Sequence, residues 1–200
     1  MNHLAHALLA APDADLMFGG LIADFLRGAV DPQLQRGVRI GIALHRSIDT
    51  YTDTHPQVVA ARALFEPPYR RYAGILLDVW FDHLLARDWH HYADGSLCAF
   101  SHEVQALLTA RTAELPPRMQ GFARYLHAHD LPAAYRCAPM IDQVLQGLSQ
   151  RLSRENPLAL ALPVVLAQAS ALDRHFAAFF PELLKHVALE RVRLGGSVPA

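Results

Sequence analysis

Prolines set into helical spacing constrain the fold of this chain more than any other feature. Runs of Ala, Leu, Arg and Gln repeat their apolar residues at helical intervals, β-branched residues are scattered rather than alternating, and strand signals are almost absent. The chain therefore reads as all-α. Its prolines mark the expected breaks. A short first helix carries His3 and His6, and a second opens at Pro12-Asp13 and runs to Arg27-Gly28. A third covers about 32 to 52, and a fourth starts at Pro56 and stops before Pro67-Pro68. A long fifth spans about 70 to 92, followed by a turn at Asp94-Gly95-Ser96. Further helices are expected over 97 to 113, from Pro116-Pro117 to about 130, and from Pro139. Asn156-Pro157 reads as the cap and first residue of another, and after a break at Pro181 a last helix reaches about Leu194. With 52% hydrophobic residues in a chain of 200, one core suffices. Residues 1–194 are expected to form a single-domain helical bundle, with 195–200 a loose tail.

Several function classes fall away on composition. A formal charge of −1 argues against a protein that coats nucleic acid. Cys98 and Cys137 are too few for a disulfide framework or a thiolate zinc site, which suggests a cytoplasmic setting with reduced thiols. No Lys or Arg precedes Arg27, so no secretory signal is expected. The longest apolar run, 158 to 167, is about half a bilayer span and contains Pro163, so no membrane segment is expected. Twelve histidines invite a metal reading without establishing one.

The chemistry-bearing residues cluster in three segments. His45 and Asp49 lie four apart on one face of the expected third helix, among Ile42, Ile48 and Thr52. An imidazole and a carboxylate on a core-facing stripe must be paired or coordinated, and a buried Asp–His hydrogen bond satisfies that demand as well as a metal does. Asp24 is the only charge between Asp15 and Arg27, flanked by Gly20 and Gly28, and a salt bridge to Arg27 is the simple alternative to ligation. In Asp78-Val79-Trp80-Phe81-Asp82-His83 two carboxylates share an inward stripe. Like charges at that spacing repel, so a cation between them is the better explanation. His6 can add a ligand or a general acid, and His3 reads as a surface residue. Asp53-Thr54-His55-Pro56 reads as a turn with His55 at a rim. Together Asp24, His45, Asp49, Asp78, Asp82 and His83 offer nitrogen and oxygen donors without thiolates, a set suited to manganese, iron or magnesium more than to zinc.

Four blocks in order also carry a family resemblance. They are Asn2-x-Leu4-Ala5-His6; Gly19-x-Leu21-Ile22-Ala23-Asp24-Phe25-x-Arg27-Gly28; His45-Arg46-x-Ile48-Asp49-x-x-Thr52-Asp53-x-His55-Pro56; and Leu77-Asp78-x-x-x-Asp82-His83-x-Leu85-Ala86-x-x-Trp89. This arrangement resembles the acyl carrier protein phosphodiesterases over about the first 90 residues. The resemblance implies an HD-domain-like helical bundle and a Mn2+-dependent hydrolase, with Fe2+ or Mg2+ also suited. The substrate would be holo-acyl carrier protein, cleaved to apo-carrier and free 4′-phosphopantetheine. On that basis Asp24, His45, Asp49, Asp82 and His83 are expected to hold metal, His6 and Asp78 to act in catalysis, and Arg27, Arg46 and His55 to bind the acidic carrier substrate. No nucleic acid or membrane partner is expected. Gly20 stands where the family has Asn, and His3 where it has an aromatic, which bears on substrate fit rather than chemistry. Two other readings remain at this point: an HD-like hydrolase of a nucleotide or other small phosphodiester, and a helical binding protein whose Asp and His residues only satisfy one another.

Overall fold

The computed structural model describes residues 1–195, and the expected tail beyond Gly195 lies outside the described residues. Ten α-helices occur among the described residues, joined by short 3-10 turns and with no strand, so the all-α expectation holds. They are α1 (His3–Ala10), α2 (Ala14–Ile22), α3 (Arg36–Thr54), α4 (Pro56–Ala63), α5 (Ala73–Arg87), α6 (Leu97–Ala110), α7 (Pro117–Ala128), α8 (Ala138–Arg151), α9 (Leu162–Ala167) and α10 (Ala169–Leu194).

The third helix starts later than expected, at Arg36, the fifth is shorter, Ala73–Arg87, and three other boundaries differ in kind. The second helix stops at Ile22, and Ala23–Phe25 tightens into a 3-10 turn, so Asp24 stands on a turn at the end of α2 rather than inside it. Asn156-Pro157 does not open an α-helix. The Asn156 side chain accepts the Leu158 N–H at 3.2 Å, and only the 3-10 turn Leu158–Leu160 follows. Pro181 breaks nothing: it lies inside the 26-residue α10. A proline in a helix interior costs about 3 kcal/mol. Buried Phe176, Phe179 and Phe180 before it, with Leu183 and Val187 after it, keep both halves on the core and outweigh that cost.

α5 is the central helix. Leu76, Leu77, Val79, Trp80, Phe81, Leu84 and Leu85 are all buried, and the Phe81 ring meets Phe176 and Phe179 of α10 at centroid distances of 5.2 and 6.0 Å. α2 and α3 pack flush because each offers a glycine to the other's backbone. A Cβ on Gly19 would lie 2.2 Å from the Val38 carbonyl oxygen, and one on Gly41 2.3 Å from that of Leu16. Asp13 caps α2 by accepting the N–H groups of Asp15 and Leu16.

α1 is held at both ends by side chains distant in sequence. At its C-terminus the buried Arg191 guanidinium donates to the carbonyls of Leu9 and Ala11, where the helix dipole favours a cation. At its N-terminus Asn2 makes no side-chain cap. Instead Asp82 of α5 accepts the Leu4 N–H at 2.8 Å and the Ala5 N–H at 3.2 Å. A carboxylate from the central helix thus sets where α1 begins, and with it the position of His6.

Candidate metal centre

Four segments converge where α1, the end of α2, α3 and α5 meet. α1 contributes His6, the turn after α2 contributes Asp24, and α3 contributes His45 and Asp49 one turn apart. His45 Nε2 lies 3.0 Å from Asp49 Oδ2 and 3.2 Å from Asp24 Oδ1, and His6 Nε2 lies 3.1 Å from Asp49 Oδ1. The two imidazoles stack with centroids 3.8 Å apart and planes at 22°. Both histidines are buried, at 2 and 4% exposure, while the side chains of Asp24 and Asp49 keep 50 and 40%, so the group opens to solvent on its carboxylate side. Asp78 of α5 stands alongside, its Oδ1 accepting the Met1 amino group at 2.9 Å, with that amino group 3.8 Å from Asp49.

The electrostatics are those of a cation site. Burial, helped by the neighbouring His45, pushes His6 down to about 4, so it stays neutral with one ring lone pair to offer. Burial opposes a charge on His45 too, but its hydrogen bonds to Asp24 and Asp49 override that and hold it at about 9. Although burial pulls the other way, His45 and His6 hold Asp49 well below the usual carboxylate range, and His45 lowers Asp24. The positive charge between the carboxylates is therefore a proton on His45, in the place where a metal ion would supply it. One ligand atom each from His6, His45 and Asp49 fall within 4.8 Å of one another. Nδ1 of His6 and Nδ1 of His45 are buried without a hydrogen bond, and His6 Nε2, though 3.1 Å from Asp49 Oδ1, is not aligned for one. Buried imidazole nitrogens are normally satisfied. Buried nitrogens without a partner next to depressed carboxylates fit a metal ion.

The family described as acyl carrier protein phosphodiesterase matches residues 1–183. The chain belongs to this family. Curated relatives that bear that name include one from Serratia proteamaculans (strain 568), 36% identical over 186 residues (92% of this chain, 96% of the relative); one from Yersinia pestis, 33% identical over 193 residues (96% and 100%); and one from Photorhabdus laumondii, 33% identical over 186 residues (92% and 94%). The likeness thus extends well past the four blocks near the start of the chain. No solved structure matches.

Within this acyl carrier protein phosphodiesterase family member, the residues singled out from sequence separate into two sets. His6, Asp24, His45 and Asp49 come together, with Asp78 beside them. Asp82 and His83, expected as ligands, do not join. Asp82 is fully buried with both oxygens on α1 backbone N–H groups, so the inward acid is a cap for another helix. His83 turns to the flank of α5 that faces the 3-10 turn Ala133–Arg136, where its Nδ1 lies 2.8 Å from the Tyr135 carbonyl and its ring packs on Trp80. His55, expected at a rim, is buried beside Tyr51 and Phe179. Its Nε2 pairs with Glu182 at 3.1 Å and its Nδ1 caps α4 by accepting the Gln57 N–H. His3 is only partly exposed: its ring lies 4.4 Å from Phe122 and 6.4 Å from Phe25.

The basic residues fall at the open side. Arg27 is exposed and lines an open groove with Ile22, Phe25 and Leu26 on one wall and Leu115 and Arg118 on the other, directly after Asp24. Asp24 bonds His45, and no ion pair to Arg27 occurs among the described residues. Arg46, also exposed, donates to the Gly28 carbonyl at 2.9 Å and so braces the loop after the Asp24 turn. The helical spacing of His45 and Asp49 carried most of the centre. Helical spacing alone shows His6 only as a histidine near the start of a short helix, because its partners stand 39 and 43 positions away and no local period reports them; the family block Asn2-x-Leu4-Ala5-His6 is what marks it.

Proposed function

We propose that this protein is a metal-dependent phosphodiesterase that hydrolyses the bond between 4′-phosphopantetheine and the serine of holo-acyl carrier protein, giving apo-carrier and free 4′-phosphopantetheine. The observation that carries this reading is the His6–His45–Asp49 group, with Nδ1 of each ring unbonded, in a chain whose relatives are named for that activity. His6, His45, Asp49 and Asp24 are the residues that would hold the ion, with Mn2+ favoured and Fe2+ or Mg2+ suited to the same donors. A bound divalent cation supplies Lewis acidity: it makes water a competent nucleophile near neutral pH and neutralises charge on the phosphoryl oxygens.

The chain's own residues do the rest. His6, neutral at working pH, offers a lone pair at no cost in protons, whereas His45 must release its proton to the solvent when the site is loaded. Asp24 and Asp49 keep the two rings oriented. Asp78, whose carboxyl is raised by burial against the pull of the Met1 amino group 2.9 Å away, would assist the departing serine oxygen as the acid of the reaction. The substrate is an acidic protein, and Arg27 and Arg118 line a groove whose wall includes Ile22 and Phe25, the sequence neighbours of Asp24, so its acidic surface would dock there with Arg46 bracing the loop. A cytoplasmic location and a distant relation to HD-domain phosphohydrolases belong to the same reading.

The test is hydrolysis of holo-carrier beside a nucleotide panel, with metal-stripped and Mn2+-loaded protein. Release of 4′-phosphopantetheine only from the loaded form, lost in His45→Ala, is the expected outcome. Cleavage of a nucleotide in preference to holo-carrier would move the assignment to another phosphodiester.

A further inference from the structure

A cavity of about 210 Å3 lies between α1, α5, α7 and α8, and the chemistry above gives it no role. It is not remote from the centre. Two of its lining residues are His3, one helical turn before His6, and Asp78, which shares the Met1 amino group with Asp49. Its walls are apolar: Ile75 and Val79 of α5, Phe122 of α7, and Val144 and Leu148 of α8. Polar groups interrupt them, among them Asn2, Tyr125 and Arg151. The space is below the roughly 300 Å3 at which pockets for whole drug-sized ligands begin, so it suits part of a narrow chain rather than a nucleoside.

A phosphodiester held at the centre has two substituents that must leave it in different directions. One is the carrier serine, part of a folded protein that no cavity of this size can admit. It has to point to the open side, where Asp24 is half exposed and the Arg27–Arg118 groove begins. The other is a slender chain of methyl, methylene, hydroxyl and amide groups ending in a thiol. An apolar slot with scattered polar groups matches that alternation: the methyl-bearing carbons pack on Ile75, Val79 and Leu148, and the amides find Asn2 and Tyr125.

We propose that this cavity is the subsite for the pantetheine arm, so that the protein reads the prosthetic group as well as the phosphodiester. The inference rests on the phosphodiesterase reading. It makes the lining of α8 a specificity determinant, although no residue of α8 belongs to the metal centre.

Gly147 offers the cleanest test. It lines the cavity, and a Cβ built there meets no heavy atom within 4 Å, so Gly147→Leu adds a side chain without disturbing the helix. Val144→Phe is a second filling variant. With Mn2+-loaded protein, kcat/KM for holo-carrier should fall at least tenfold in both, while hydrolysis of bis(p-nitrophenyl) phosphate, which has no arm, stays within twofold. In calorimetry the wild type should bind pantetheine itself, which lacks the phosphate, and the variants should bind it at least tenfold more weakly. Unchanged holo-carrier kinetics, an equal loss on both substrates, or no pantetheine binding by the wild type would each overturn the subsite. A wild type that cleaves bis(p-nitrophenyl) phosphate but not holo-carrier would sink the phosphodiesterase reading and the arm subsite with it, and that result is visible before any variant is made.

Discussion

Replacing Asp82 by Ala removes the carboxylate that accepts the Leu4 and Ala5 N–H groups and leaves both in a fully buried place. An unsatisfied buried donor costs about 1–3 kcal/mol, so the pair accounts for roughly 2–6 kcal/mol. Part of that is returned, because burial makes the carboxyl itself unfavourable and drives its pKa up to about 7, against the pull of the α1 N–H groups. A net loss of about 3 kcal/mol corresponds to a fall in Tm of roughly 6–12 °C for a chain of this size. The larger effect should be local. α1 is eight residues long and has no cap of its own, so freeing its start frees His6. Asp82 touches the backbone that carries His6 rather than its ring, and losing it should lower Mn2+ affinity in the folded variant about as much as losing an outer partner of a ligand does, roughly 10–100-fold. Asp82→Asn keeps one acceptor oxygen and should fall about midway. Thermal melts with and without EDTA, followed by Mn2+ titration, measure both effects. A Tm within 1 °C of wild type would refute the capping role. A variant that loses Mn2+ entirely while His6→Ala retains it would return Asp82 to the position of a direct ligand.

Other expectations follow from the packing and the charges. Gly41→Ala puts a Cβ against the Leu16 carbonyl between α2 and α3, and overpacking of about 1–3 kcal/mol should exceed the roughly 0.8–1.0 kcal/mol gained in helix propensity. Gly121→Ala on exposed α7 meets only the tip of Arg124 and should be stabilising, so urea melts of the two must shift in opposite directions. In metal-free protein, the stability that His45 draws from its carboxylates is fully present below its unfolded pKa near 6.5 and is lost as pH rises through about 9, a span worth at most about 3 kcal/mol. Melts in EDTA should therefore show the gap between wild type and His45→Ala narrowing from pH 6 to pH 9.5, and a gap that widens contradicts the pairing. Arg27→Glu with Arg118→Glu should raise KM for holo-carrier at least tenfold and flatten its salt dependence, with bis(p-nitrophenyl) phosphate hydrolysis unchanged.

How much of this was legible in the residues depends on the range over which each signal acts. The all-α class is a sum of local preferences, and the helical spacing of apolar residues carries it. The meeting of His45 with Asp49 is equally local, since four residues on a helix are one turn whatever surrounds them. The continuity of α10 through Pro181 was not visible, because the aromatic residues that hold it on the core compensate for a local penalty from outside the segment. The inward stripe of α5 shows the limit most clearly. Helical spacing correctly placed Asp82 in the interior and demanded something positive beside it. Two solutions meet that demand: a cation, or the N-terminus of another helix with its free N–H groups and a partial charge of about +0.5. Nothing within α5 distinguishes them, since the deciding groups belong to Leu4 and Ala5, 78 and 77 positions earlier. The acid near the middle of the central helix thus acts on the metal centre through α1, by deciding where His6 stands. The same electrostatic demand is met at Asp24 and Asp49 by a proton on His45, a charge that unlike a helix terminus can be exchanged for a metal ion. A buried carboxylate held by backbone serves position, whereas one held by a titratable ring can serve chemistry.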